Sequence, residues 1–175
     1  SSLEKLGEVA VGALPDMLTF TPDGKAVLVA NEGEPNAGYT IDPVGSISVI
    51  DLSAGVAAAT VKTVGFETYN DKAAELRAKG VRIYGPGASV AQDLEPEYIA
   101  ISPDGKTAWA TLQEANAAAV INLSDIANPT LVDIRPFGLK DHSIIGNELD
   151  ASDRDGRINI RNWPVKGLYQ PDAIA

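Results

Sequence analysis

One phrase recurs along this chain at intervals of about 80 residues. Residues 14–25 read LPDMLTFTPDGK and residues 94–106 read LEPEYIAISPDGK, so that Pro22 and Pro103 lie 81 residues apart. A third copy begins as QPDAIA at residues 170–175, where the sequence ends. Self-similarity at a fixed period is the signature of a repeat architecture. The sequence therefore predicts repeated structural units, and the unfinished third copy predicts that the chain is a piece of a longer protein.

Both copies predict the same order of short strands. A Pro-Asp-Gly-Lys turn joins the first two strands of each copy, since proline presets one corner and glycine tolerates the next. Alternating or continuous apolar runs predict strands over residues 17–21, 26–30, 46–52 and 56–64, and then over 98–101, 107–112, 117–123 and 129–134. Three or four antiparallel strands joined by hairpins make one β-propeller blade. Ordinary blades take about 40–45 residues, so each repeat here needs an insertion.

The repeats divide the chain as follows. Repeat 1 covers about residues 14–93 with a helical insertion over 66–93, repeat 2 covers about 94–170 with a long loop over 137–169, and repeat 3 starts at 170–175. In the first insertion, helix formers over 71–79 follow Asn70 as a cap and precede Gly80 as a stop. The expected fold is all-β, with about two propeller blades, the start of a third, and one short helix in an insertion.

Composition excludes several classes of function. The net charge of −10 argues against nucleic acid and against anionic membrane surfaces. No apolar run approaches the roughly 20 residues that span a bilayer, so the chain is predicted not to be transmembrane. Cysteine is absent and His142 is the only histidine, which excludes disulfides, thiolate nucleophiles and zinc sites built on several histidines. Any metal must be held mainly by oxygen, which favours calcium or magnesium.

The longer phrases of the sequence resemble the choice-of-anchor I family of secreted bacterial propeller proteins, and its hairpins resemble YVTN-type or surface-layer-type repeats. The phrases are ANEGEP at 30–35, QDLEPEY at 92–98, LKDH at 139–142, LDASDRDG at 149–156 and WPVKG at 163–167. The resemblance implies a seven-bladed propeller that is exported and often tethered to the cell surface. Some members carry labels of the alkaline phosphatase or phytase type. Two blades cannot close a ring, so we expect the remaining blades on another chain or on a cleaved remainder of this protein.

An acidic residue follows the repeated proline in each copy, as Asp16, Glu97 and Asp172. The innermost strands of a propeller line its central channel, so these positions are expected to converge there. Converging carboxylates repel one another unless a cation or proton relieves them, which predicts a calcium or magnesium site. Glu32, in the loop after the second strand, is a further candidate ligand and aligns with either Gln113 or Glu114. The alternatives are carboxylates bonded to turn amides within their own blade and a solvated hairpin loop.

The second insertion holds another candidate calcium loop, formed by Asp150, Asp153 and Asp155 with Gly156. It matches the EF-hand spacing only in part, and the alternative is an acidic turn bonded to its own backbone.

The candidate catalytic residues are Asp141, His142 and Arg154. A histidine beside a carboxylate can act as a general base, and arginine can hold a phosphate. No sequence motif supplies a nucleophile, so a structural role for His142 is the alternative and the catalytic residues stay unassigned.

Two classes of function follow from these features. The first is a secreted or cell-surface propeller module for binding or scaffolding with oxygen-ligated calcium, located outside the cell, in the periplasm or on the cell surface. The second is a calcium-dependent phosphoesterase of the alkaline phosphatase or phytase type. The corresponding partners are a surface ligand or a phosphoester, and whether the chain is an enzyme stays open.

Overall fold

The structure, a computed structural model, describes residues 4–175. It divides into two units. The blade unit comprises residues 4–136 and 170–175, and the loop unit comprises Phe137–Tyr169.

Two four-stranded antiparallel sheets form the frame of the blade unit. The first contains β1 (Pro15–Phe20), β2 (Ala26–Asn31), β3 (Ser46–Asp51) and β4 (Thr60–Gly65), and the second contains β5 (Pro96–Ile101), β6 (Thr107–Leu112), β7 (Ala117–Asn122) and β8 (Thr130–Pro136). In both sheets the spatial order follows the chain order. Such a meander is a propeller blade, so the predicted all-β fold with propeller blades is confirmed.

The repeated turn has the same hydrogen bonds in both blades. Asp23 Oδ1 accepts bonds from Thr21 Oγ1 at 2.7 Å and from the Lys25 amide at 3.1 Å. The corresponding Asp104 Oδ1 accepts bonds at 2.6 and 3.1 Å, from a serine hydroxyl and a lysine amide. These aspartates stabilise the turn from within, because a short acidic side chain can satisfy nearby backbone amides.

The helix α1 (Ala73–Lys79) lies in the first insertion, as predicted, and Gly80 ends it with a φ of 100°. Its start differs from the expectation, because a 3-10 helix over Glu67–Lys72 precedes it. Asn70 therefore does not cap α1. Its Oδ1 instead accepts a hydrogen bond from the amide of Ala91 at 2.9 Å, in the next helix.

A second helix, α2 (Val90–Asp93), was not expected from the sequence. It begins with a capping box, in which Ser89 and Gln92 each bond the other's backbone amide. The Gln92 side chain also donates to the carbonyl of Asp42 at 2.7 Å, and the Gly45 amide donates to the carbonyl of Ala91 at 2.9 Å. These bonds fix the loop between β2 and β3 against the start of the second blade.

One hydrophobic core joins the two sheets and the first insertion. Its largest fully buried side chains include Leu28 and Ile47 of the first sheet, Phe66 and Leu76 of the insertion, and Ile121 of the second sheet. Burying side chains of this kind stabilises a fold by about 1.5–3 kcal/mol each. The first strands of the two sheets, β1 and β5, lie next to each other. Asp16, near the start of β1, is also close enough to Glu97, near the start of β5, for the two charges to interact.

The loop unit has little regular structure but is held by internal hydrogen bonds. Its two strands, β9 (Leu139–Asp141) and β10 (Lys166–Leu168), pair in antiparallel fashion. A single bridge joins Leu149 to Arg161, and Trp163 Nε1 donates to the carbonyl of Leu149 at 3.0 Å. In residues 4–175 no helix is long and apolar enough to cross a membrane.

Candidate functional site

Asp16 and Glu97 each lie at an irregularity in the first strand of their blade. The register between β1 and β2 shifts at Asp16, between Pro15 and Met17. The register between β5 and β6 shifts between Pro96 and Ile99, at Glu97 and its neighbour. A bulge leaves its extra residue unpaired and redirects its side chain, and bulges are common beside functional sites. Sequence alternation alone could not have located these shifts.

Glu97 has the most unusual environment of the three repeated acids. Burial raises the pKa of its carboxyl group to about 7, with further contributions from Glu114, Asp172, Glu32 and Asp16. Its Oε2 is buried and has no hydrogen-bond partner among the described residues. Negative charges from both blades and from the third copy of the phrase therefore act on this one side chain.

Glu32 and Glu114 extend this charged group. Glu32 lies after β2, and burial raises its pKa, followed by the charges of Glu34, Asp16 and Glu114. Pro15 pairs with Asn31 as Pro96 pairs with Leu112, so the register makes Gln113 the counterpart of Glu32. Glu114, the next residue, supplies the negative charge in this loop of the second blade, and its buried Oε2 has no hydrogen-bond partner in residues 4–175.

Asp172 joins the group from the end of the sequence. Gln113 Nε2 donates a hydrogen bond to its Oδ1 at 3.5 Å. The amide of Gln170 donates to Asn116 Oδ1 at 3.1 Å, which anchors the returning chain beside β7. We call Asp16, Glu32, Glu97, Glu114 and Asp172 the acidic face.

The acidic face can attract cations, because closely placed carboxylates are relieved by a positive charge or a proton. Carboxylate oxygens are also the ligands that calcium prefers. Within residues 4–175, however, no three acidic or histidine side chains are already arranged to hold a metal ion. A calcium ion at Asp16, Glu32, Glu97 and Asp172 would have to draw these side chains together.

A cavity of about 710 Å³ shares Glu114 with the acidic face. We call it the Glu95 cavity, because the buried carboxyl group of Glu95 lines it together with Glu34 and the rings of Tyr39 and Tyr84. Burial raises the pKa of Glu95 to about 8, with further contributions from nearby acids, of which Glu114 is the largest.

Glu95 was not among the candidate residues predicted from the sequence. A signal was present, because the first copy of the repeated phrase reads Leu-Pro-Asp whereas the second reads Leu-Glu-Pro-Glu. Glu95 is the extra residue of the second copy.

The loop unit holds the other candidate ligands, and their carboxylates bond to nearby backbone. Asp150 accepts hydrogen bonds from the amides of Ser152 at 3.3 Å and Asn159 at 2.8 Å. Asp155 accepts a bond from the Arg157 amide at 3.3 Å. Asp153 forms only a long ion pair of 3.9 Å with Arg154, and both side chains are more than 90% exposed. These contacts are those of an acidic turn.

Asp141 and His142 have separate hydrogen-bond partners. Asp141 Oδ1 accepts bonds from the amide and the hydroxyl of Ser143, at 2.9 and 2.6 Å. His142 Nδ1 lies 2.6 Å from the carbonyl oxygen of Asn147. The Asp141 carboxylate thus stabilises a turn, and Nδ1 of the His142 imidazole is hydrogen-bonded to the backbone.

Comparison with solved structures gives distant likenesses. Hydrazine synthase from Kuenenia stuttgartiensis matches at 13% identity and a TM-score of 0.42, over 70% of this chain and 36% of that one. A periplasmic gluconolactonase from Pseudomonas aeruginosa matches at 18% identity and a TM-score of 0.45, over 78% of this chain and 31% of that one. The chain thus spans about a third of the length of these structures, and the TM-scores are too low to carry a conclusion about function.

Comparison with curated proteins gives no significant match. Comparison with family models gives a match along the whole sequence, from residue 1 to residue 175, to the model described as the choice-of-anchor I domain. The resemblance noted in the sequence is therefore confirmed, and the chain belongs to the choice-of-anchor I family.

Proposed function

We propose that this chain is part of a secreted or cell-surface propeller module that binds a ligand through its acidic face, with calcium held by Asp16, Glu32, Glu97 and Asp172. The observation that supports the proposal is the environment of the Glu97 carboxyl group. One of its oxygens is buried without a partner among the described residues, and burial, followed by the charges of acids from both blades, raises its pKa. A bound cation would relieve both conditions at once.

Binding is favoured over catalysis by the partners of the candidate catalytic groups. Asp141 is bonded to Ser143, and His142 is bonded to a backbone carbonyl. Arg154 is almost fully exposed in a turn. Membership of the choice-of-anchor I family supports a location outside the cell or on its surface.

The same proposal includes a protein partner that supplies the remaining blades. Strand β1 is an edge strand, and its Leu18 and Phe20 are 62% and 57% exposed. These side chains lie opposite Val29 and Val27, on the face of the sheet that is turned away from the main core. Exposed apolar side chains grouped on one face favour association with another protein surface. We infer that blades on another chain, or on the remainder of the same protein, cover this face.

The test of the proposed function is calorimetric titration of the protein with Ca²⁺ and with Mg²⁺. Calcium is expected to bind, and Glu97→Gln or Asp16→Asn is expected to weaken binding at least tenfold. Glu67→Gln, an exposed acid in the 3-10 helix before α1, is the matched control and should bind as the wild type does.

Two outcomes would contradict the proposed site. Absence of calcium binding at millimolar concentration would remove calcium from the proposal. Binding that is lost in Asp153→Asn but kept in Glu97→Gln would move the ion to the loop unit, where Asp150, Asp153 and Asp155 are the candidate ligands.

A further inference from the structure

The Glu95 cavity combines negative charge with an apolar lining. Three carboxyl groups line it, those of Glu34, Glu95 and Glu114, together with the rings of Tyr39 and Tyr84. Leu14, Pro35, Ile41 and Pro43 complete most of the remaining wall. Ligand sites are typically concave and mostly apolar, with a few polar groups that fix the orientation of the ligand.

Glu95 is the most buried of the three carboxyl groups in this cavity. Glu95 is only 7% exposed. Within the part of the chain that the structure describes, no group donates a hydrogen bond to its carboxyl group and no basic side chain pairs with it. Buried carboxyl groups are normally hydrogen-bonded or paired, because leaving them without a partner destabilises the fold. A donor supplied by a ligand would satisfy this one.

The exposed apolar side chains in the wall of the cavity favour an organic ligand over a bare metal ion. Tyr39, Ile41 and Leu14 are 56%, 65% and 52% exposed at the cavity. A hydrated metal ion gains nothing from such surfaces, whereas an alkyl chain is removed from water by them. An aromatic ring also attracts a cation placed over its face. The guanidinium of Arg82 already lies 3.5 Å from the ring centroid of Tyr84, so Tyr39 is the ring that remains for a ligand.

One wall of the cavity is held in place by Asp93. This buried carboxylate accepts hydrogen bonds from the backbone amides of Tyr84 and Gly85. Asp93 is the last residue of α2, whose Gln92 is bonded to Asp42 in the opposite loop. Both sides of the cavity are therefore fixed before any ligand arrives.

The opposite wall is held by Asn36. Its Oδ1 accepts hydrogen bonds from the amides of Thr40 at 2.9 Å and Ile41 at 3.3 Å. The carbonyl of Asn36 also accepts a bond from the amide of Tyr39 at 2.8 Å, and Tyr39 has a φ of 50°. A tyrosine in the left-handed region is uncommon and persists only where its surroundings hold it.

We propose that the Glu95 cavity binds an aliphatic amine, whose protonated amino group pairs with Glu95 while its alkyl chain lies against Tyr39. Glu34 and Glu114 supply further negative charge, so a diamine should bind more tightly than a monoamine of the same length. The site goes beyond the proposed calcium function and does not depend on it, since Asp16, Glu97 and Asp172 do not line the cavity.

The test uses three probes with the same four-carbon chain, namely 1-butanol, 1-aminobutane and 1,4-diaminobutane, at constant pH and ionic strength. Binding is followed by amide chemical shifts in a chain of 18.3 kDa. Shift changes are expected at Tyr39, Tyr84 and Glu95, with affinity in the order diamine, monoamine, alcohol. Glu95→Gln should weaken amine binding at least tenfold, whereas Glu75→Gln on α1 should leave it unchanged.

Some results would overturn the proposal. Equal binding of the alcohol and the amines would show that the cavity selects its ligand by the alkyl chain and not by charge. Amine binding that is unchanged in Glu95→Gln would show that Glu95 is not part of the site. If Glu95→Gln folds poorly, Glu34→Gln tests the charge from the exposed side of the cavity and should weaken diamine binding most. Asp16→Asn separates the two sites, because it is expected to lower calcium affinity and to keep amine affinity.

Discussion

A Cβ atom built on Gly45 would lie 2.1 Å from the carbonyl oxygen of Leu94. Gly45 comes directly before β3 in the first blade, and Leu94 leads from α2 into β5 of the second. The Gly45 amide also donates a hydrogen bond to the carbonyl of Ala91 at 2.9 Å. The two blades therefore meet backbone against backbone at a point where only glycine fits.

We predict that Gly45→Ala lowers the free energy of unfolding by about 1–3 kcal/mol or more, because overpacking against backbone cannot be relieved by a rotamer change. Urea unfolding followed by circular dichroism measures this loss. Gly38→Ala is the matched control, since its new Cβ would meet nothing closer than a methyl group of Thr40 at 3.8 Å. Equal stability of the two variants would contradict the close approach.

Stability is predicted to fall as the pH rises from about 4.5 to about 8. Burial raises the pKa of Glu95 to about 8, above its ordinary value of 4.5, so the folded protein binds this proton more tightly than the unfolded chain does. The resulting stabilisation is complete below pH 4.5 and is lost as the pH passes through 8. Glu97, with a pKa of about 7, adds in the same direction.

Urea unfolding at several pH values between 5 and 9 checks this prediction. Glu95→Gln should make the decline shallower and should be more stable than the wild type at pH 9. Glu75→Gln is the control, because the bond from Lys79 lowers the pKa of Glu75 and gives no decline in this range. A wild-type stability that rises towards pH 8 would show that Glu95 is not buried as described.

Asp93→Ala is predicted to destabilise the fold by about 3 kcal/mol. Asp93 is 4% exposed and accepts two backbone hydrogen bonds, and bonds to charged groups contribute about 1.5–3 kcal/mol each. Hydrogen exchange should show faster exchange at the amides of Tyr84 and Gly85 in particular. The exposed Asp71→Ala is the control, and a similar small effect in both variants would argue against the role of Asp93.

We predict no hydrolysis of a generic phosphomonoester, with or without calcium, above the rate of a buffer control. Asp141 and His142 are bonded to other groups, and among the described residues no hydroxyl group is paired with the imidazole as a nucleophile. The measurement is release of nitrophenolate from its phosphate ester by the purified chain. Turnover that disappears in His142→Ala or Arg154→Ala would instead support the phosphoesterase alternative.

The sequence was sufficient for the sheets because their physical signals are local. Alternation and the Pro-Asp-Gly-Lys turn act within a few residues, and the predicted strands were found with ends shifted by a few residues. For example, β4 starts at Thr60 because Val56–Ala58 form a 3-10 turn. Local signals also explain one error, since Asn70 resembles a helix cap but bonds to Ala91, 21 residues away.

The candidate site was harder to predict because its interactions are not local. The sequence placed an acid at the start of each blade, but the strand irregularities at Asp16 and Glu97 depend on pairing with the next strand. Burial of Glu95 depends on the loop between β2 and β3, about 50–60 residues earlier in the sequence. The calcium assignment stays a prediction.

The chain leaves the second blade at Pro136 to form the loop unit and returns to this blade at nearly the same place. Pro136, at the end of β8, pairs with Ala117, and the amide of Gln170 bonds to the preceding Asn116. A protein engineer could therefore replace residues 137–169 with a short glycine-rich connector without stretching the chain between the second blade and Asp172. The blades would then serve as a host scaffold at a position that tolerates exchange of the inserted segment.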